Sequence, residues 1–89
     1  MRRIALGDYK IEATYNVRTS LVEILFANVA DLQPKALLER DDLAKKIEGC
    51  PGDAIILEEA EWEKLRAAIL SARGLGRNDI EFIRRVLEA

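Results

Sequence analysis

The chain has 89 residues, of which 34% are charged and 49% apolar, and its formal net charge is −2. This length and mixture indicate one globular domain spanning residues 1–89 and exclude a disordered chain. Because the sequence has no histidine and a single cysteine, Ser-His and Cys-His catalytic pairs and an internal disulfide are also excluded.

The first 15 residues alternate between polar and apolar side chains. A Gly7-Asp8 pair divides this stretch in two. The apolar positions are Ile4 and Leu6 before the pair and Tyr9, Ile11, Ala13 and Tyr15 after it. Period-two spacing broken by Gly-Asp predicts a β-hairpin that turns at Gly7-Asp8, with one longer bulged strand as the alternative.

The first helix is predicted between Asn16 and Asn28, where the apolar spacing changes to about 3.6 residues per turn. We place its cap at Thr19 or Ser20, because Ser20 and Glu23 have the spacing of a capping box.

Val22 and Phe26 extend the apolar surface of this helix beyond the stripe that faces the core. A second surface is therefore expected to cover them, either another helix of the chain or a second copy of it. We take both residues as candidate partner-binding residues.

The second predicted helix begins at Pro34, whose missing N–H costs nothing in a first turn, and ends at Gly49. The Asp41-Asp42 pair leaves open whether this stretch is one helix or two short ones. Its apolar positions are Leu37, Leu38, Leu43, Ala44 and Ile47. The sequence CPGD that follows predicts a turn.

The apolar run at residues 54–57 predicts a third short strand or an extended lead into the next helix. That helix has an apolar stripe of Trp62, Leu65, Ile69 and Ala72, and Trp62 is either a core residue or an interface anchor. A last helix begins near Asn78 or Asp79 and presents Ile80, Ile83 and Leu87, with Phe82 and Val86 alongside. The predicted class is α+β: an N-terminal β-hairpin, with or without this third strand, packed against three to four α-helices.

Two glycines separate the last two predicted helices. Together with the residues before them, they follow the pattern apolar-x-x-apolar-x-Gly-apolar-Gly. The pattern positions are Ile69, Ala72, Gly74, Leu75 and Gly76, followed by Ile80 and Ile83. This spacing resembles the helix-hairpin-helix element of DNA-repair and replication proteins. The resemblance implies phosphate binding by the backbone N–H groups of Leu75, Gly76 and Arg77, without base recognition. A simple bend between two helices explains the same glycines.

Three arginines of the last segment, Arg77, Arg84 and Arg85, are further candidate partner-binding residues. Positive charge is favoured at a helix C-terminus, so Arg84 and Arg85 also have a structural explanation. Residues 19–63 carry fifteen charged side chains, eleven of them acidic, whereas residues 64–89 carry six basic and three acidic ones. This asymmetry favours association between copies, in which arginines of one meet carboxylates of another.

Catalytic and metal sites have little support in the sequence. Successive helical positions point in different directions, so the glutamates at 58, 59, 61 and 63 do not converge on one cation. We expect no metal, no cofactor and no enzymatic activity. Since no apolar run approaches the roughly 20 residues that span a bilayer, we also expect no membrane partner.

Over most of its length the chain resembles small accessory proteins encoded by tailed bacteriophages. The segments that carry this resemblance are YNVRTSLVEILFAN, LLERDDLAKKI, ILEEAEWEKLRAAI and RNDIEFIRRVLEA. It implies a non-enzymatic assembly, adaptor or host-modulating factor in the bacterial cytoplasm. We therefore predict a protein that acts by protein–protein contact as a homo-oligomer, with a sequence-independent DNA-binding module as the alternative.

Overall fold

A computed structural model describes residues 1–11, 13–27, 29–30 and 32–89. These residues form four short strands and four α-helices, which confirms the predicted α+β class. In chain order the elements are β1 (Arg2–Ala5), β2 (Tyr9–Lys10), β3 (Thr14–Tyr15), α1 (Val17–Leu25), α2 (Pro34–Gly49), β4 (Ala54–Leu57), α3 (Glu59–Ser71) and α4 (Ile80–Leu87), the last preceded by a 3-10 turn (Arg77–Asp79).

The strands form two antiparallel pairs, β1 with β4 and β2 with β3. The N-terminal hairpin is therefore present, but the prediction that it turns at Gly7-Asp8 is wrong: Tyr9 lies opposite Tyr15, and the turn comes after Lys10. β1 instead pairs with the distant β4, because Ile4 and Ile55 face each other and both are buried in the one core. Burial of this apolar pair outweighs the local turn signal.

Helix α1 begins one turn earlier than its predicted caps. Its N-cap is Asn16, whose side-chain oxygen accepts the Thr19 N–H at 2.9 Å, so the predicted cap at Thr19 or Ser20 is wrong. Asparagine fits this position because it satisfies a backbone donor that the helix leaves free. Asn28, the predicted end, lies outside the described residues.

Helix α2 is a single helix that starts at Pro34, as predicted. Its second half is packed into the core through Leu43, Ala44 and Ile47, whereas Leu37 and Leu38 in the first half are exposed. The guanidinium of Arg18 holds the C-terminal end of the helix by donating to the carbonyls of residues 47, 50 and 52. Orphan carbonyls at a helix end are thereby satisfied by a side chain of α1.

Helix α3 packs into the core through Trp62, Leu65 and Ile69 of the predicted stripe, whereas its fourth member, Ala72, follows the helix end at Ser71 and is half-buried. Trp62 is a core residue, since it is 6% exposed and its indole N–H donates to the Val86 carbonyl at 2.8 Å. The guanidinium of Arg2 lies 3.8 Å from the centroid of the indole ring and covers its outer side.

The buried face of α4 differs from the predicted one. Phe82 and Val86 are buried, whereas Ile80 is 45% exposed and Ile83 is half-buried. Helix α4 contacts β1 and the β2–β3 hairpin, and these contacts turn Phe82 inward. Tyr15 of the hairpin packs beside Phe82 at 5.7 Å between ring centroids. Among the described residues, no helix is long and apolar enough to cross a membrane.

Candidate protein-interaction surface

The bend between α3 and α4 covers residues 72–79. Gly74 has φ of +77°, a left-handed conformation that glycine adopts without strain. At Gly76 the backbone is extended, and its N–H donates to a carboxylate oxygen of Asp79 at 2.8 Å. In the DNA-binding alternative the Gly76 N–H donates to a phosphate oxygen. In this structure the Asp79 carboxylate accepts that hydrogen bond instead. Phosphate binding by Leu75, Gly76 and Arg77 stays a prediction from sequence.

Two tyrosines of the hairpin fix the start of α4. The Tyr9 hydroxyl donates to the Asn78 carbonyl at 2.6 Å and accepts the Phe82 N–H at 3.1 Å. The Tyr15 hydroxyl donates to the Asp79 carboxylate at 2.7 Å, and the two rings stack at 4.7 Å. A tyrosine hydroxyl is a protonated donor at neutral pH, and burial raises the pKa of both hydroxyls further above the ordinary value. The alternation of the hairpin indicates these tyrosines as apolar positions but does not indicate their partners.

The predicted arginines have two different environments. Arg85 is engaged inside the molecule, because its guanidinium donates to the carbonyls of Ala5 at 3.3 Å and Gly7 at 2.6 Å. The side chains of Arg77 and Arg84 are exposed, as is that of Arg73, and none of the three forms a hydrogen bond or ion pair with another described residue. Among the arginines of the C-terminal segment, these three are therefore available to a partner.

Val22 lies in an open groove between α1 and the C-terminal end of α2. The groove has a volume of about 360 Å³ and is lined by Arg18, Thr19, Val22, Glu23 and Glu48. We call it the α1 groove. Val22 is half-buried and packs against the edge of the core, as does Phe26 one turn further along α1. Both residues therefore lie at the boundary between core and solvent.

The carboxylates of the α1 groove, Glu23 and Glu48, are exposed and form no ion pair with a described cation. The Arg18 guanidinium at the same groove is occupied by its three carbonyl partners. Hydrogen bonds to neutral carbonyls leave the positive charge of Arg18 in place, so its one cation stands against two carboxylates and the groove keeps a net negative charge. Sequence reasoning predicted Val22 but missed Glu48, since nothing in the sequence pairs that residue with α1.

Several other carboxylates of the acidic middle are paired within the molecule. Glu59 meets the Arg2 guanidinium at 2.7 Å, and this hydrogen bond lowers the pKa of Glu59. Burial alone would raise the pKa of Glu61, but hydrogen bonds from Lys46 and from the Glu58 N–H outweigh it and lower the pKa. Within the described ranges, no three metal-ligating side chains come together.

No protein-family model matches the chain, and neither a curated protein nor a solved structure matches it.

Proposed function

We propose that this protein acts by protein–protein contact, without catalysis, and that the α1 groove binds the arginine-bearing C-terminal segment of a second copy. The observation that supports this proposal is the complementary charge of two exposed surfaces. Glu23 and Glu48 flank Val22 without an ion-pair partner among the described residues and outnumber the one cation of the groove, Arg18, whereas Arg77 and Arg84 are exposed without an anion. An assembly or adaptor role, of the kind implied by the phage resemblance, uses contacts of this type.

The second copy is the favoured partner because the chain itself carries both signs of charge. Its basic C-terminal segment and its acidic middle provide the two halves of one contact, and complementary charge gives such a contact specificity. Each exposed ion pair contributes only about 0.2 to 1 kcal/mol. The apolar contact of Val22, with Phe26 beside it, is needed to hold the copies together.

Charge reversal tests this proposal. We expect Glu23→Lys with Glu48→Lys, and separately Arg77→Glu with Arg84→Glu, to weaken association about tenfold each, because like charges then face each other. An equal mixture of the two variants restores opposite charges in the contact. The mixture should therefore sediment faster than either variant alone.

All four substitutions are at exposed positions, so circular dichroism should show that both variants keep the wild-type fold. Arg66→Glu with Glu63→Lys is a matched control, since these side chains are also exposed and lie outside the proposed contact. A mixture that sediments like its separate components would contradict the role of the α1 groove.

A further inference from the structure

The outer edge of β4 presents backbone groups that the fold does not use. The Leu6 N–H donates to the Asp53 carbonyl at 2.7 Å, directly beyond the last β1–β4 pair. Hydrogen-bonded and non-hydrogen-bonded pairs alternate in an antiparallel ladder. Ile4–Ile55 is therefore a hydrogen-bonded pair, and the N–H and C=O groups of Ala54 and Ile56 point away from β1.

Ile56 is the residue of this edge with both groups free. The Ala54 carbonyl accepts the Cys50 thiol at 3.3 Å, and the Glu58 N–H donates to the Glu61 carboxylate at 2.9 Å. No described residue is hydrogen-bonded to the outward N–H or C=O of Ile56, and its side chain is 48% exposed. This short edge therefore combines an unpaired donor, an unpaired acceptor and an apolar side chain.

The other edge of the same sheet is protected. Arg85 of α4 covers the outward carbonyl of Ala5, and β1 carries two arginines, Arg2 and Arg3. Charged side chains and covering helices are the usual ways in which proteins block strand edges. β4 has neither a charge nor a proline.

We propose that two copies pair antiparallel through β4, about a two-fold axis beside Ile56. One free donor and one free acceptor on a single residue are both satisfied by the same residue of a two-fold related copy. The four strands then form one continuous sheet in the order β1-β4-β4-β1. This contact is isologous and closes on itself.

The composition of β4 favours a second copy as the occupant of the edge. Within the strand AIIL carries no charge, so self-pairing brings no like charges opposite each other there, and the two Ile56 side chains cover each other. Beyond the strand the same register places Asp53 opposite Glu59, whose charge is already paired with Arg2 at 2.7 Å. A longer foreign strand would gain little, since only Ile56 has both backbone groups free. The contact uses none of the residues of the α1 groove, so each of the two proposals can be tested independently of the other.

Disulfide cross-linking tests the pairing. In a hydrogen-bonded antiparallel pair the two Cα atoms are about 5.5 Å apart, within the range that a disulfide spans. We expect Ile56→Cys, in a Cys50→Ser background, to form covalent dimer under mild oxidation. On a non-reducing gel most of the 10.0 kDa band should shift to twice that mass. Reductant should reverse the shift.

Leu70→Cys in the same background is the matched control, because Leu70 is 58% exposed but lies on α3, outside both proposed contacts. It should stay mostly monomeric on the gel. Equal cross-linking of the two variants would overturn the inference. Ile56→Lys, which places a charge on the edge, should lower the mass of the sedimenting species. An unchanged mass would overturn the β4 contact and leave the α1 groove proposal intact if the charge-reversed mixture still associates.

Discussion

Phe82→Ala is expected to lower the free energy of unfolding by about 3 to 5 kcal/mol, the usual cost of removing a buried aromatic ring. Phe82 is 1% exposed and is among the largest fully buried side chains of the described residues. Its ring packs beside that of Tyr15, and its backbone N–H is bound by the Tyr9 hydroxyl. Urea denaturation followed by Trp62 fluorescence measures the loss.

Ile80→Ala is the control for this measurement. The helical spacing of the sequence predicts Ile80 in the core, whereas the structure leaves it 45% exposed. Substitutions at such surface positions usually change stability by no more than about 0.5 kcal/mol. If Ile80→Ala were as costly as Phe82→Ala, α4 would be rotated relative to the position described above.

Arg85→Ala is expected to cost about 1.5 to 3 kcal/mol, the range for hydrogen bonds made by a charged group. Its guanidinium bridges the carbonyls of Ala5 and Gly7, and its side chain is only 21% exposed. Removing it leaves those acceptors without their donor and loosens α4 from β1. The same urea titration measures the change.

Arg84→Ala, the neighbouring substitution, should alter the unfolding free energy by less than about 0.5 kcal/mol, since Arg84 is exposed and unpaired among the described residues. Its effect should appear in association instead. Equal destabilisation by the two substitutions would show that Arg84 also supports the fold and would remove it from the proposed contact.

The sequence predicts the elements that depend on local signals. Pro34 and Gly49 mark the two ends of α2, and the spacing of Trp62, Leu65 and Ile69 indicates the buried face of α3. Each of these signals acts within a few turns of one helix. No knowledge of the tertiary structure is needed to interpret them.

The pairing of β1 with β4 and the rotation of α4 about its axis could not be predicted from such local signals. The alternation around Ile4 suits β1 equally well with a neighbouring strand or with β4, so the Gly7-Asp8 turn signal was misleading. In α4 the apolar residues form one broad face that runs from Phe82 and Val86 to Ile80, so the spacing does not decide which edge of that face is buried. Only the contacts with the Tyr9–Tyr15 hairpin decide that Phe82 faces the core.

The residues of the candidate surfaces also differ in whether the sequence indicates them. Val22 and Phe26 were indicated by apolar surface in excess of one stripe, and the structure places them at the edge of the core. Glu48 enters the α1 groove only because the end of α2 packs beside α1. Ile56 belongs to an apolar run that indicates burial. In the structure β4 is an edge strand of a two-stranded sheet, and the Ile56 side chain is 48% exposed.

Sedimentation of the wild-type chain at micromolar concentration tests self-association most directly. Self-association predicts a species of at least twice the 10.0 kDa monomer mass, and the α1 groove contact predicts that this mass falls as salt is raised. A single 10.0 kDa species throughout the micromolar range, at low and high salt, would contradict it.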